Sequence, residues 1–149
     1  MAYEQLKLEN QLCFPLYAAS RLVIQAYQPH LEKLGTTYPQ YLVLMVLWEK
    51  DSISVNDISR QLLLNTNTVT PILKRMEAQG IISRQRSEED ERKVIVTLTP
   101  KGKQLQAQAA SIPEKLSADL VSENLKMDDL HKLKEQLEEL IQSLSNKIE

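Results

Sequence analysis

The chain is poor in cysteine, glycine and most ring side chains, and each shortage removes a class of protein. Cys13 is its single cysteine among 149 residues, so an intrachain disulfide is impossible. With His30 and His131 it forms no zinc-ligand spacing, and no metal or cofactor is expected. Three glycines, one phenylalanine and one tryptophan are few for a sandwich or barrel, which spends glycine on turns and aromatics on strands; a mainly helical fold is expected. No apolar run approaches the roughly 18–20 residues of a membrane span, and the polar opening MAYEQLKLEN lacks the pattern of a signal peptide. A cytoplasmic protein without membrane contact is the expectation. A basic excess is also missing: 18 Lys and Arg face 20 Asp and Glu, for a net charge of −2, so evidence for a nucleic-acid partner has to be local.

What is present is helical periodicity. Leu12, Leu16, Ala19, Val23, Ala26 and Tyr27 recur at the spacing of one helix face, predicting a helix over about Leu8–Leu34 with Pro15 near its start. Pro29 should kink or end it. Thr36, Thr37 and Pro39 read as the opening of a second helix whose run Tyr41–Trp48 is apolar almost all round and should be buried. Asp51–Ser54 reads as a turn. Ser54 and Asp57 have capping-box-like spacing before Ile58, Leu62 and Leu63, which predicts a short helix. Asn65–Thr68 offers caps for another, with Val69, Ile72, Leu73 and Met76 facing inward and Gly80 ending it.

Ile81–Gln85 and Val94–Leu98 alternate β-branched or apolar residues with polar ones around a polar stretch, the pattern of a hairpin. Thr99–Pro100 opens a further helix that Pro113 interrupts or kinks. Leu130, Leu133, Leu137, Leu140, Ile141, Leu144 and Ile148 then make one apolar stripe in a charged background, the pattern of a helix with one partner-facing or core-facing side.

Two short helices across a tight turn, followed by a hairpin, make the order of a winged helix-turn-helix, in which the later helix enters the major groove. On that helix Thr66, Asn67, Thr68 and Thr70 are candidates for base edges or phosphates, and Lys74 and Arg75 for the backbone. The wing adds Arg84, Arg86 and Arg92. From Lys74 to Lys93 six basic residues face five acidic ones, so charge alone does not mark a DNA face. Asp90 has a use if it holds Arg92 ready for the narrow minor groove. The plain alternatives are a capped helix and a solvated, salt-bridged loop.

Thr68–Arg92 and Val96–Gly102 together resemble the multiple-antibiotic-resistance-regulator (MarR) family, whose wing signature Asp-x-Arg is matched by Asp90 and Arg92. Leu8–Tyr17 and Thr37–Leu44 are similar to its organic hydroperoxide resistance branch. The resemblance implies a mainly α fold with a small β-hairpin, as one MarR-type domain over 1–149. Residues 37–99 would be the winged helix-turn-helix, and 1–36 with 100–149 a helical dimerisation region. It implies a homodimer reading a pseudo-palindromic double-stranded operator, with recognition helices roughly 34 Å apart. It also implies a sensor: Cys13, hydrogen-bonded by Tyr27 and Tyr38 with Tyr17 as a further candidate, oxidised by organic hydroperoxides and resolved by a low-molecular-weight thiol, another chain, a backbone nitrogen or further oxidation. Asn65, Thr66 and Asn67 stand where many relatives have aspartate, serine and glycine, which keeps the capping chemistry and changes the base contacts. Pro15 is unusual so close to a cysteine expected to be helical.

Other readings of the same residues are a one-cysteine thiol peroxidase, against which stands the absence of a general base or arginine constellation beside Cys13; a MarR-type regulator of a small aromatic ligand in which Cys13 and the tyrosines are structural; and a C-terminal helix that docks another protein. The first reading of all these is a non-enzymatic repressor.

Overall fold

The computed structural model describes residues 3–148, which fall into two compact units that divide between Ala110 and Ser111. In the first, two single 3₁₀ turns, Glu4–Leu6 and Leu8–Asn10, precede helices α1 (Phe14–Glu32) and α2 (Tyr38–Glu49), strand β1 (Ile53–Ser54), helices α3 (Val55–Leu62) and α4 (Thr66–Ala78), strands β2 (Ile82–Arg86) and β3 (Val94–Leu98), and helix α5 (Pro100–Ala109). The second unit holds α6 (Ile112–Leu120) and α7 (Met127–Ile148). No helix among the described residues is long and apolar enough to cross a membrane.

α1 starts later than its apolar pattern implies. Pro15 has no N–H to give the Gln11 carbonyl, so the helix cannot extend back through that turn. The side-chain amides of Gln11 and Asn10 instead donate to the carbonyls of Lys7 (2.8 Å) and Glu4 (2.7 Å). Cys13 is the N-cap and Pro15 falls in the first turn, where proline is favoured, so nothing about its position is unusual. Pro29 does not end α1 either. The helix runs through it to Glu32, since one proline removes one backbone bond while the buried Leu31 anchors the last turn.

α2 opens on a full capping box: Thr37 Oγ1 accepts from the Gln40 N–H (3.4 Å) and the Gln40 side chain accepts from the Thr37 N–H (3.2 Å). Its Tyr41, Val43, Leu44, Val46 and Leu47 are buried, and with Ile58, Val69, Leu73 and Met76 they form the core on which α3, α4 and the sheet are laid. Ser54 caps α3 through the Asp57 N–H (3.1 Å), and the Asp57 carboxylate turns to Arg60 (3.2 Å). Leu63 points to solvent as the left-handed C-cap of α3, with φ of 56°.

The expected turn at 51–54 contains a strand. β1 pairs antiparallel with β3, Ile53 opposite Val96, and the hairpin becomes a three-stranded sheet of order β1-β3-β2. The Asp51 carboxylate locks that edge by accepting from the N–H groups of Leu98 (2.9 Å) and Ser52 (2.8 Å). Gly80, at φ +75°, ends α4 and turns the chain into β2. In the second unit, Pro113 opens α6 in its first turn, Ile112 and Leu116 are buried, and α7 buries none of its described residues.

Candidate DNA interface and redox site

At about 100° per residue, the buried Val69, Leu73 and Met76 fix which side of α4 faces out: Asn67, Pro71 and Lys74 lie opposite them, Thr66 and Thr70 on one flank, Thr68 and Arg75 on the other. Asn65 caps the helix, its Oδ1 accepting from the Thr68 N–H (3.0 Å) and hydroxyl (3.2 Å), and the Thr70 hydroxyl donates to the Thr66 carbonyl (2.8 Å). Pro71 gives no N–H to the Asn67 carbonyl. Thr66, Asn67, Thr68, Lys74 and Arg75 are all exposed.

Thr66 and Thr70 share a cleft of about 240 Å³ with Arg84, Arg92 and Lys93 of the wing and with the opening residues of α3. Arg84 sits low in this cleft. Its guanidinium (3.1 Å) and its backbone N–H (3.0 Å) both reach the Glu77 carboxylate, and this pairing holds Glu77 below the usual carboxylate range. Recognition helix and wing are therefore tied by one carboxylate, a link that a seven-residue separation across a turn does not advertise in sequence.

The wing tip is a folded turn. The Ser87 N–H donates to the Lys93 carbonyl (2.8 Å) and the Lys93 N–H to the Asp90 carbonyl (2.9 Å). Asp90 grips Arg92 at three points: the Arg92 backbone N–H and Nε at 3.1 Å each, and Nη2 at 3.4 Å. Those bonds keep the Asp90 carboxyl below its usual range, while the Arg92 side chain stays 91% exposed. Arg86 is occupied otherwise, donating to the Glu91 carbonyl (2.9 Å).

Cys13 is exposed at the head of α1, and its carbonyl accepts from the Tyr17 N–H (3.1 Å). Tyr17 is exposed, its ring 5.0 Å from the Arg21 guanidinium carbon. Tyr27 and Tyr38 meet, with ring centroids 4.8 Å apart. Tyr41, read from sequence as core, joins them at 5.8 and 6.3 Å. Burial, then the neighbouring phenols, pushes the Tyr27 hydroxyl up to about 12; burial raises Tyr38 and Tyr41 as well. Cys13 is not part of this group: fourteen residues of helix at 1.5 Å each place it about 21 Å from Tyr27 along α1.

A raised phenol favours the folded state below its ordinary value near 10, and that contribution is lost as pH climbs toward 12. The 295 nm difference titration of the protein against Tyr27→Phe should accordingly show its step near pH 12; a step near 10 would place the Tyr27 ring in water.

A capped recognition helix, a charged wing tied to it and a buried three-helix support define a winged helix-turn-helix DNA-binding protein. Residues 25–109 match the family described as Transcriptional regulator SarA/Rot. Over 145 residues the chain is 47% identical to the organic hydroperoxide resistance transcriptional regulator of Bacillus subtilis (strain 168), covering 97% of each. The structure of reduced AbfR bound to DNA, a Staphylococcus epidermidis protein, is 40% identical and superposes with a TM-score of 0.81 over 100% of both chains. Disulfide-formed AbfR, 42% identical, gives 0.61 over 97% of this chain and 94% of that one. The chain belongs to this family of MarR-type transcriptional regulators, in the branch of the organic hydroperoxide resistance regulators, and is a DNA-binding regulator of transcription.

Proposed function

We propose that the protein is a homodimeric repressor that leaves its operator when Cys13 is oxidised by an organic hydroperoxide. The observation that carries this reading is the separation of an exposed thiol from a half-buried tyrosine pair in one chain. Cys13 and Tyr27 lie some 21 Å apart along α1, so thiol and tyrosine pair can act together only when the Tyr27 and Tyr38 of one protomer face the Cys13 of the other. A dimer is supported by the apolar side chains that a single chain leaves uncovered: Leu16, Leu22 and Ile24 on α1, and Leu133, Leu140, Ile141 and Leu144 on α7.

In the reaction the Cys13 thiolate attacks the terminal oxygen of the hydroperoxide. The O–O bond breaks as the S–O bond forms, the sulfur is oxidised to a sulfenic acid, and the departing alkoxide takes a proton to become an alcohol. Tyr27 and Tyr38 are protonated at neutral pH like any phenol, and with partial burial raising them further they are donors suited to the thiolate and to the leaving oxygen. The polar sulfenic acid alters those hydrogen bonds and biases a two-state dimer away from the geometry that spans two major grooves. A small thiol condenses with the sulfenic acid, releasing water and leaving a mixed disulfide, and a second thiol displaces Cys13 from it as the small-thiol disulfide departs. AbfR matches this chain with TM-scores of 0.81 in its reduced form bound to DNA, 0.75 in its overoxidised form bound to DNA and 0.61 in its disulfide form, so a disulfide to the oxidised cysteine is the step that supports release.

Fluorescence anisotropy on DNA from upstream of its own gene tests the reading. Stoichiometric cumene hydroperoxide should release the wild-type protein and leave Cys13→Ser bound, with a thiol restoring binding. Release of the serine variant too would move the signal to a small ligand and leave Cys13 structural.

A further inference from the structure

Proline costs a helix nothing in its first turn, where the missing N–H would have had no partner. Pro71 stands beyond that turn. Asn65 caps α4, Thr66 is its first residue and Pro71 its sixth, so the N–H that Pro71 lacks is one the helix needs. The bond removed is the one to the carbonyl of Asn67, and the proline ring pushes that carbonyl outward. The Thr70 hydroxyl is not available to replace it, because it donates to the adjacent Thr66 carbonyl (2.8 Å). The carbonyl of Asn67 therefore depends on water or a ligand for the lost bond. Asn67 and Pro71 are both exposed and lie on the side of α4 turned away from the buried Val69, Leu73 and Met76. They sit in the N-terminal part of the helix that enters the major groove in this class of protein. The arrangement is costly to stability, since proline is the least favourable residue in a helix interior.

We propose that Pro71 is a specificity-determining residue: the main-chain carbonyl of Asn67 that it uncovers reads one base of the operator and selects adenine or cytosine there. A carbonyl oxygen only accepts. In the major groove adenine offers its N6 amino group and cytosine its N4 amino group, whereas guanine presents O6 and thymine O4. Against either of those acceptors the carbonyl would be desolvated with no proton between the two oxygens, which is costly. The Asn67 side chain carries both a donor and an acceptor and can turn either end to a base. A main-chain acceptor cannot turn, so it discriminates, and it loses no rotamer freedom on binding. The proposal rests on DNA binding alone and stands or falls separately from the peroxide reading.

Selection from a randomised duplex library by the reduced wild-type protein, Pro71→Ala and Pro71→Val tests this. Both variants restore an N–H at residue 71, and valine also keeps an apolar side chain able to lie against a thymine methyl. Wild type should favour adenine or cytosine by about tenfold or more at one position for each bound protomer. Both variants should lose that preference, keep those at the other positions and melt several degrees higher, because the helix regains its bond. Within the selected duplex, unsubstituted purine in place of that adenine, or pyrimidin-2-one in place of that cytosine, removes only the amino group. The replacement should weaken wild type by about tenfold more than it weakens Pro71→Ala, any change in the duplex itself being common to both. The assignment is overturned by an unchanged preference in Pro71→Ala, a preference kept by Pro71→Val, or a loss spread over all positions. Equal effects of the amino-free base on the two proteins, or variants no more stable than wild type, would overturn it as well. A wild-type protein that enriched no sequence would remove sequence recognition itself.

Discussion

Replacing Gly102 by alanine should destabilise the protein by about 3 kcal/mol, the upper end of overpacking costs, and lower its melting temperature by roughly 6–12 °C. Gly102 lies in the first turn of α5, and a methyl group there would run into the Ile81 carbonyl oxygen, with Leu98 Cδ2 3.1 Å away on another side. That carbonyl cannot step aside cheaply, because it accepts from both the N–H (3.0 Å) and the hydroxyl (2.9 Å) of Thr99, the α5 cap. Gly102 is held from its own side too: its N–H donates to Thr99 Oγ1 (3.2 Å) and its carbonyl accepts from Trp48 Nε1 (3.0 Å). An isolated helix would gain about 1 kcal/mol from the same change, so the sign of the measured difference decides. Urea or thermal unfolding of the two proteins measures it, and a neutral or more stable alanine variant would mean that α5 does not approach the Ile81 turn this closely.

Removing the wing carboxylate should weaken operator binding although it makes the protein less acidic. Asp90→Ala deletes a negative charge from the wing, and simple attraction to phosphate would then tighten binding. The three hydrogen bonds from Arg92 to Asp90 argue the opposite, because a guanidinium already held in place loses less freedom on entering the groove. We expect about a tenfold loss for Asp90→Ala and a somewhat larger one for Arg92→Ala. The double variant should be little worse than Arg92→Ala alone, as befits two residues acting as a unit. Anisotropy titrations at several salt concentrations give all three values; tighter binding by Asp90→Ala would show that charge, not positioning, governs the wing. Arg92 holds the Asp90 carboxyl below its usual range, so the clamp is intact above that range and fails only as pH falls through the lowered value. Between pH 6 and 8, values of about neutral chosen for ordinary binding assays, affinity should not change on account of Asp90.

Helices α2, α4 and α7 were legible in the sequence because their signals are local: an apolar run behind Thr37 and Pro39, a cap at Asn65 with Val69, Leu73 and Met76 three and four residues apart, a leucine stripe from 130 onward. The hairpin and its Asp90–Arg92 pair were legible for the same reason, since residues two apart in a turn constrain each other whatever the rest of the chain does. β1 was not, because two residues carry no periodicity and Ile53 becomes a strand only by meeting Val96. Nor was the start of α1, where the apolar spacing continues back through Leu12 and a missing N–H at Pro15 overrules it. The Glu77–Arg84 tie and the closeness of Gly102 to Ile81 join residues from different elements, and only packing could decide them. Sequence by itself determined a single thiol fourteen residues before Tyr27 on one predicted helix, whose rise already keeps the two apart in one chain; the tertiary structure decided that Tyr38 and Tyr41 of α2 pack against Tyr27, because only the meeting of α1 and α2 brings those rings together.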